Sequence, residues 1–300
     1  MPFLLVLLPC LLWGTTGTAA NFMPGVDALA IGACAQGLGG LLYFCIYAKS
    51  SWRAMWSKGT RRWVLIGAVG TLGYPVTYYP ALKMAPMALV VTVALGSAPV
   101  FAALLEAIFD RARLSWQWML GTGLGIVGVV LLALGAQRAI GEGDAENVPL
   151  ALVLSLAAGV SYALYAYASR KAIEKGVSPT AAMGAMFGES SLVLIPMLIV
   201  LGGPILASWQ NVAVAAYLAI FPLCLAYIMF AHGLRTVSAS VALTVTLAEP
   251  AVAAVLAVFV VRETVSVGGW LGIVLIAAGI VLASFTARAK PESGPITGTL

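Results

Sequence analysis

Two carboxylates stand inside long apolar runs. Glu249 lies mid-run directly before Pro250, and Glu189 lies in Phe187-Gly188-Glu189-Ser190-Ser191. An ionisable group in that much hydrocarbon is costly, so it marks a route for substrate, ion or proton. The alternative is a structural carboxyl hydrogen-bonded to a neighbouring helix. A residue before proline is pushed away from helical geometry, and the proline ring has no N–H to donate. A break at Pro250 would therefore free carbonyls beside Glu249. Pro99 is expected to do the same upstream, with Ser97 and Ala98 where Ala248 and Glu249 stand. Aromatic residues accompany the acids. Tyr74 and Tyr78 are four apart and share a helix face, with Tyr79 adjacent and Pro75 and Pro80 beside them. Tyr162 and Tyr165 are three apart, and Trp13 and Tyr227 also sit mid-run. Rings supply apolar contact and phenols supply hydrogen bonds, which suits a cavity for small amphipathic ligands. The competing reading is that these rings simply pack between helices. Thr16, Ser97 and Thr246 add hydroxyls that could face a ligand or bond across helices.

Other chemistries find no footing. His232 is the single histidine, so no His-based triad or metal cluster is available. The four cysteines, Cys10, Cys34, Cys45 and Cys224, lie in apolar runs without zinc-like or redox-like spacing. Gly123-x-Gly125-x-x-Gly128 matches a dinucleotide fingerprint in letters only, because it lies inside an apolar segment with no strand before it. Close helix packing is the better account. No phosphate loop is present. The expectation is a non-enzyme with no cofactor and no metal.

The elements that must position these residues follow from composition. Apolar residues make up 62% of the chain and charged residues 9%, against roughly 45–50% and about 25% in a soluble domain. Lipid has to cover the surplus. The net charge of +5 is spread over short gaps between apolar runs, which is the placement of topology determinants and not of a nucleic-acid surface. A span needs about 20 mostly apolar residues. Ten such runs are read at 3–21, 27–47, 63–82, 87–108, 115–136, 149–168, 180–201, 211–231, 238–261 and 268–287. No Lys or Arg precedes Lys49, so the first run lacks a signal-peptide n-region and is read as a retained helix. With the N-terminus in the cytoplasm, cytoplasmic segments carry all but three of the 16 Lys and Arg residues. Only Lys83, Arg138 and Arg262 fall outside. That asymmetry predicts ten spans with both termini cytoplasmic.

The two halves resemble each other. At a shift of about 151 residues Pro99 meets Pro250, Arg111 meets Arg262, Gly121 meets Gly272 and Gly128 meets Gly279. Five spans per half is an odd number, so the second half would enter the membrane upside down. Such inverted repeats rock about a midplane site to give alternating access. The expected fold is an all-α membrane protein of ten transmembrane helices, arranged as two inverted five-helix repeats around a central cavity. Residues 1–140 form the first repeat, and 141–300 the second with a short cytoplasmic tail.

The segment from Leu247 to Thr264, with Gly269-Trp270-Leu271-Gly272 and Ala278-Gly279-Ile280-Val281, resembles the signature of the drug/metabolite transporter superfamily in its EamA-type branch. The first-half copy from Gly96 to Glu106 and the Trp13-Gly14 pair fit the same pattern. The resemblance covers nearly the whole chain. It implies two five-helix repeats, a central cavity and export of metabolites or drugs across the inner membrane. The chain is most similar to the amino-acid exporters, among them those for aromatic amino acids. A broad drug and metabolite efflux carrier and a non-saturable channel remain the alternatives. The implied partners are a small-molecule substrate, an amino acid or related metabolite, and the lipid bilayer, with no nucleic acid. The chain is expected to act as a monomer or weak homo-oligomer.

Overall fold

The structure, a computed structural model, describes residues 4–20, 22–85, 87–137, 147–256, 258–259 and 265–288. The acidic loop with Glu142, Asp144 and Glu146, the residues Arg138, Arg262 and Lys290, and the expected boundary between residues 140 and 141 lie outside them.

Every described element is helical: α1 (Leu4–Ala20), α2 (Ala28–Ile46), α3 (Ala48–Trp56), α4 (Arg61–Met84), α5 (Met87–Asp110), α6 (Trp116–Gln137), α7 (Val148–Glu174), α8 (Pro179–Leu201), α9 (Trp209–Gly233), α10 (Ala239–Val245), α11 (Ala248–Leu256) and α12 (Val267–Arg288), with a single 3-10 turn at Gly203–Ala207. The starts are written in the sequence. Asp27, Asn147, Ser178, Ser208 and Ser238 each accept a backbone N–H of the turn that follows, which satisfies donors that a helix start leaves open.

Among the described residues, seven stretches are long and apolar enough to cross a membrane: Ala28–Ile46, Leu89–Asp110, Trp116–Leu134, Val148–Glu174, Pro179–Leu201, Trp209–Gly233 and Ala239–Leu256. The apolar helices Leu4–Ala20 and Val267–Ala283 are shorter. Helix α4 has 24 residues but carries Tyr74, Thr77, Tyr78 and Tyr79 among its apolar ones. Large apolar side chains point outward, as at Ile199 and Val200, which are 77% and 80% exposed. That is the surface of a protein solvated by hydrocarbon.

The bundle is drawn together by close backbone contacts. Helices α6 and α12 pack through glycine. A Cβ built at Gly128 would lie 2.5 Å from the Gly272 carbonyl oxygen, and one built at Gly272 would lie 2.5 Å from the Gly128 carbonyl oxygen. Gly121 and Gly279 oppose each other in the same reciprocal way about two turns further along. Helix α4 packs on α7, α5 on α7, α1 on both α9 and α11, and α2 on α8. The start of α1 lies beside the end of α9, where a Cβ at Gly233 would meet Val6.

Two expectations are corrected. The gap read between Lys49 and Arg62 contains helix α3, which exposes Trp52 and Trp56 and buries Ser51, Ala54 and Met55. A nine-residue amphipathic helix is too short for a span and too charged for an apolar run. Pro99, expected to break its helix as Pro250 does, sits inside an uninterrupted α5. A membrane helix can absorb a proline without a break when its surroundings satisfy the freed backbone group; here that group is the Leu95 carbonyl, four residues before Pro99. At the other site the break is real: the chain turns at Thr246 and Leu247 between α10 and α11.

Candidate functional site

The turn at Thr246 places Glu249 in the first turn of α11, beside a cavity of about 300 Å³. That volume is at the lower end for small-molecule sites. Its walls come from α1, α2, α4, α5, α7, α9 and α11. Among the sequence-derived candidates, Trp13, Thr16, Tyr74, Tyr78, Tyr79, Tyr162, Tyr227, Glu249 and Pro250 line it. Among the described residues its single acid is Glu249, and no Lys, Arg or His contributes to the wall.

The rings form a continuous set. Tyr74 stacks on Tyr78 with centroids 5.1 Å apart, as their four-residue spacing dictates, and meets Tyr162 edge-on at 5.6 Å. Tyr162 stacks on Tyr165 at 5.1 Å. Trp13 lies 5.0 Å from Tyr227 and 5.5 Å from Phe230. Its indole N–H donates to the Pro222 carbonyl at 2.7 Å. That carbonyl belongs to a π-helical stretch, Ala219–Leu225, in α9, and widened turns of this kind gather at functional positions. A second π stretch, Cys34–Leu38 in α2, carries Gln36 into the wall, where its amide donates to the Thr71 carbonyl.

The remaining candidates lie elsewhere. Tyr165 stands behind the wall, its phenol 2.9 Å from that of Tyr227. Thr246 is buried, donates to the Leu243 carbonyl at 2.9 Å and reaches the Tyr162 phenol from behind. Ser97 packs against Gly159 between α5 and α7, and Pro99 is within α5, away from the wall. Glu189 is not a wall residue: it is half-buried on α8, within electrostatic reach of Arg61. Its neighbours Ser190 and Ser191 donate to backbone carbonyls instead.

The cavity occupies one end of the bundle. It touches the second half of α1 and of α4 but the first half of α2 and of α5, which is the end opposite the start of α1. At the α1-start end, polar contacts that the sequence did not announce tie the helices together. Glu106, 6% exposed near the end of α5, accepts from the Ala239 and Ser240 amides at 2.7 and 3.3 Å and from the Ser240 hydroxyl at 2.5 Å. It thereby caps α10, 133 residues along the chain. Asp110 accepts from the Tyr167 phenol at 3.1 Å and pairs with Lys171 at 2.7 Å. Arg170 donates to the Leu234 and Val237 carbonyls in the turn between α9 and α10. Seven helices thus line a ring-walled chamber that lies toward the end of the bundle opposite these contacts.

Comparison with known proteins gives this chamber its context. The EamA-like transporter family model matches twice, over residues 1–134 and 149–285. An uncharacterized transporter of Bacillus subtilis, YwfM, is 31% identical over 296 residues, covering 95% of this chain and 94% of its own. The threonine/homoserine exporter RhtA of Escherichia coli is 25% identical over 272 residues, covering 90% and 85%. A solved crystal structure superposes with a TM-score of 0.79 at 23% identity, covering 96% of this chain and 97% of that one, and so shares the fold. With two family matches spanning most of its length and a multi-helix membrane architecture, the chain belongs to the EamA-like transporter family of the drug/metabolite transporter superfamily.

Proposed function

We propose that this protein is a secondary transporter that exports small metabolites, amino acids first among them, across the inner membrane by alternating access. Its ten helices cross the bilayer as two inverted quintets, residues 1–140 and 141–300, with both termini cytoplasmic. The observation that carries this reading is the chamber itself: it is walled by helices from both halves and lies toward one end of the bundle, while Glu106 and Asp110 tie helices together at the other end. A site set toward one end, with the opposite end tied by buried polar contacts, suits a carrier that faces one side at a time. The reciprocal glycine contacts of α6 and α12 support a pseudo-two-fold relation between the halves, because Gly121 and Gly128 match Gly272 and Gly279 at a shift of 151 residues. The same exchange of halves turns the α4–α7 pairing into α9–α1 and the α5–α7 pairing into α11–α1. Basic residues concentrated in the segments at the α1-start end support a cytoplasmic placement of that end. Similarity to a threonine/homoserine exporter supports amino acids as cargo.

The site residues in this reading are Trp13, Thr16, Tyr74, Tyr78, Tyr79, Tyr162, Tyr227 and Glu249, with Tyr165 bracing two of the rings. The test is counterflow in proteoliposomes loaded with unlabelled threonine, homoserine or an aromatic amino acid. Saturable uptake of label, accelerated by substrate on the far side, is expected. Uptake no faster than in empty vesicles for every amino acid would overturn the proposal, and non-saturable flux would make the protein a channel.

A further inference from the structure

The chamber has an uneven charge balance. Its wall contains one carboxyl, Glu249, and among the described residues no Lys, Arg or His. No described side chain donates a hydrogen bond or ion pair to that carboxyl. Around it stand the faces and edges of Trp13, Tyr74, Tyr78, Tyr162 and Tyr227. Ring faces carry negative electrostatic potential and attract cations. A zwitterionic amino acid would find a partner for its ammonium here but no positive charge for its carboxylate. The obvious neutral donors are already engaged: Gln36 donates to the Thr71 carbonyl, Thr16 to the Trp13 carbonyl and Trp13 to the Pro222 carbonyl. Phenols remain and can donate hydrogen bonds, but they carry no positive charge to set against a carboxylate held among apolar ring surfaces.

We infer that the chamber selects for the ammonium group, so that it accepts amines lacking a carboxylate at least as well as the corresponding amino acids. The ligand class is a small primary amine with an apolar or aromatic body, its nitrogen against Glu249 and its body among the tyrosines. This inference rests on reading the chamber as the transport site, and it names which end of the cargo the protein holds.

Three ligands of equal ring size separate the possibilities: phenethylamine, L-phenylalanine and 3-phenylpropionate. Each is tested on the purified full chain by thermal stabilisation, and as a competitor of counterflow in proteoliposomes. Phenethylamine is expected to stabilise and compete at least as well as phenylalanine, and phenylpropionate to do neither. In Glu249→Gln, which keeps the side-chain shape, phenethylamine is expected to weaken by roughly tenfold or more, as befits loss of a charge-assisted contact. Tyr74→Leu keeps the carboxyl and removes a ring, and is expected to weaken the amine by several-fold. The inference is overturned if phenylpropionate competes as well as phenethylamine, or if both variants hold phenethylamine as the wild type does. If phenylalanine is transported while phenethylamine neither binds nor competes, the charge preference fails and the transport reading stands. If a folded protein neither binds nor moves any amine or amino acid, the transport reading fails with it.

Discussion

Removing the Glu106 side chain should loosen one end of the bundle by an amount the structure lets one work out. Its carboxylate accepts two backbone amides and a hydroxyl at 2.7, 3.3 and 2.5 Å, and the residue is 6% exposed. Hydrogen bonds to a charged group contribute about 1.5–3 kcal/mol each, and a buried donor left without an acceptor costs about 1–3 kcal/mol. The 3.3 Å contact is weak, and Ser240 can turn its hydroxyl elsewhere. A net loss of about 2–3 kcal/mol for Glu106→Ala is therefore reasonable, which is roughly 30- to 150-fold in the equilibrium between closed and open ends. The assay is labelling of a single cysteine at Val241, buried in the capped helix, by a membrane-impermeant maleimide in a background without the four native cysteines. Glu106→Ala should raise the labelling rate by that factor from the α1-start side, and Glu106→Gln, which keeps one acceptor oxygen, by less. An unchanged rate in a stably folded Glu106→Ala protein would refute the role given to this contact.

Other variants probe other parts of the account. Gly272→Val places a branched side chain where a Cβ already lies 2.5 Å from the Gly128 carbonyl oxygen, so thermal unfolding should report a loss of at least about 1–3 kcal/mol. Gly123→Ala, with nothing within 4 Å of its added methyl, should unfold like the wild type in the same measurement. Trp13→Phe keeps an aromatic ring but leaves the Pro222 carbonyl without its donor; counterflow should fall several-fold while circular dichroism is unchanged. Glu189→Gln lies away from the chamber wall, so its counterflow rate should match the wild type.

What the sequence made legible was local. Pro250 announces the break beside Glu249 because a missing N–H acts on its own turn, and the four-residue spacing of Tyr74 and Tyr78 fixes their 5.1 Å stack whatever the rest of the fold does. Glu106 was silent because its partners Ala239 and Ser240 are more than 130 residues away, a distance no periodicity encodes. Glu189 shows the reverse limit of composition. An acid in an apolar run looks functional by composition, yet helical rotation turns it out of the chamber wall. Pro99 misled because a membrane helix can carry a proline without a break, as α5 does. Helix α3 was hidden because length and mean apolarity find spans and pass over short amphipathic helices.

Alternating access is tested most directly at Thr16, a chamber residue on α1. A single cysteine there, in the cysteine-free background, can be labelled with impermeant maleimide from each face of oriented vesicles. Without substrate, labelling should proceed from the face opposite the start of α1 and be nearly absent from the other. Under saturating transported amino acid on both sides, labelling from the α1-start face should rise as the chamber cycles. Equal labelling from both faces at rest would mean a continuous pore, and labelling confined to one face during active exchange would contradict the rocking of two halves about a shared site.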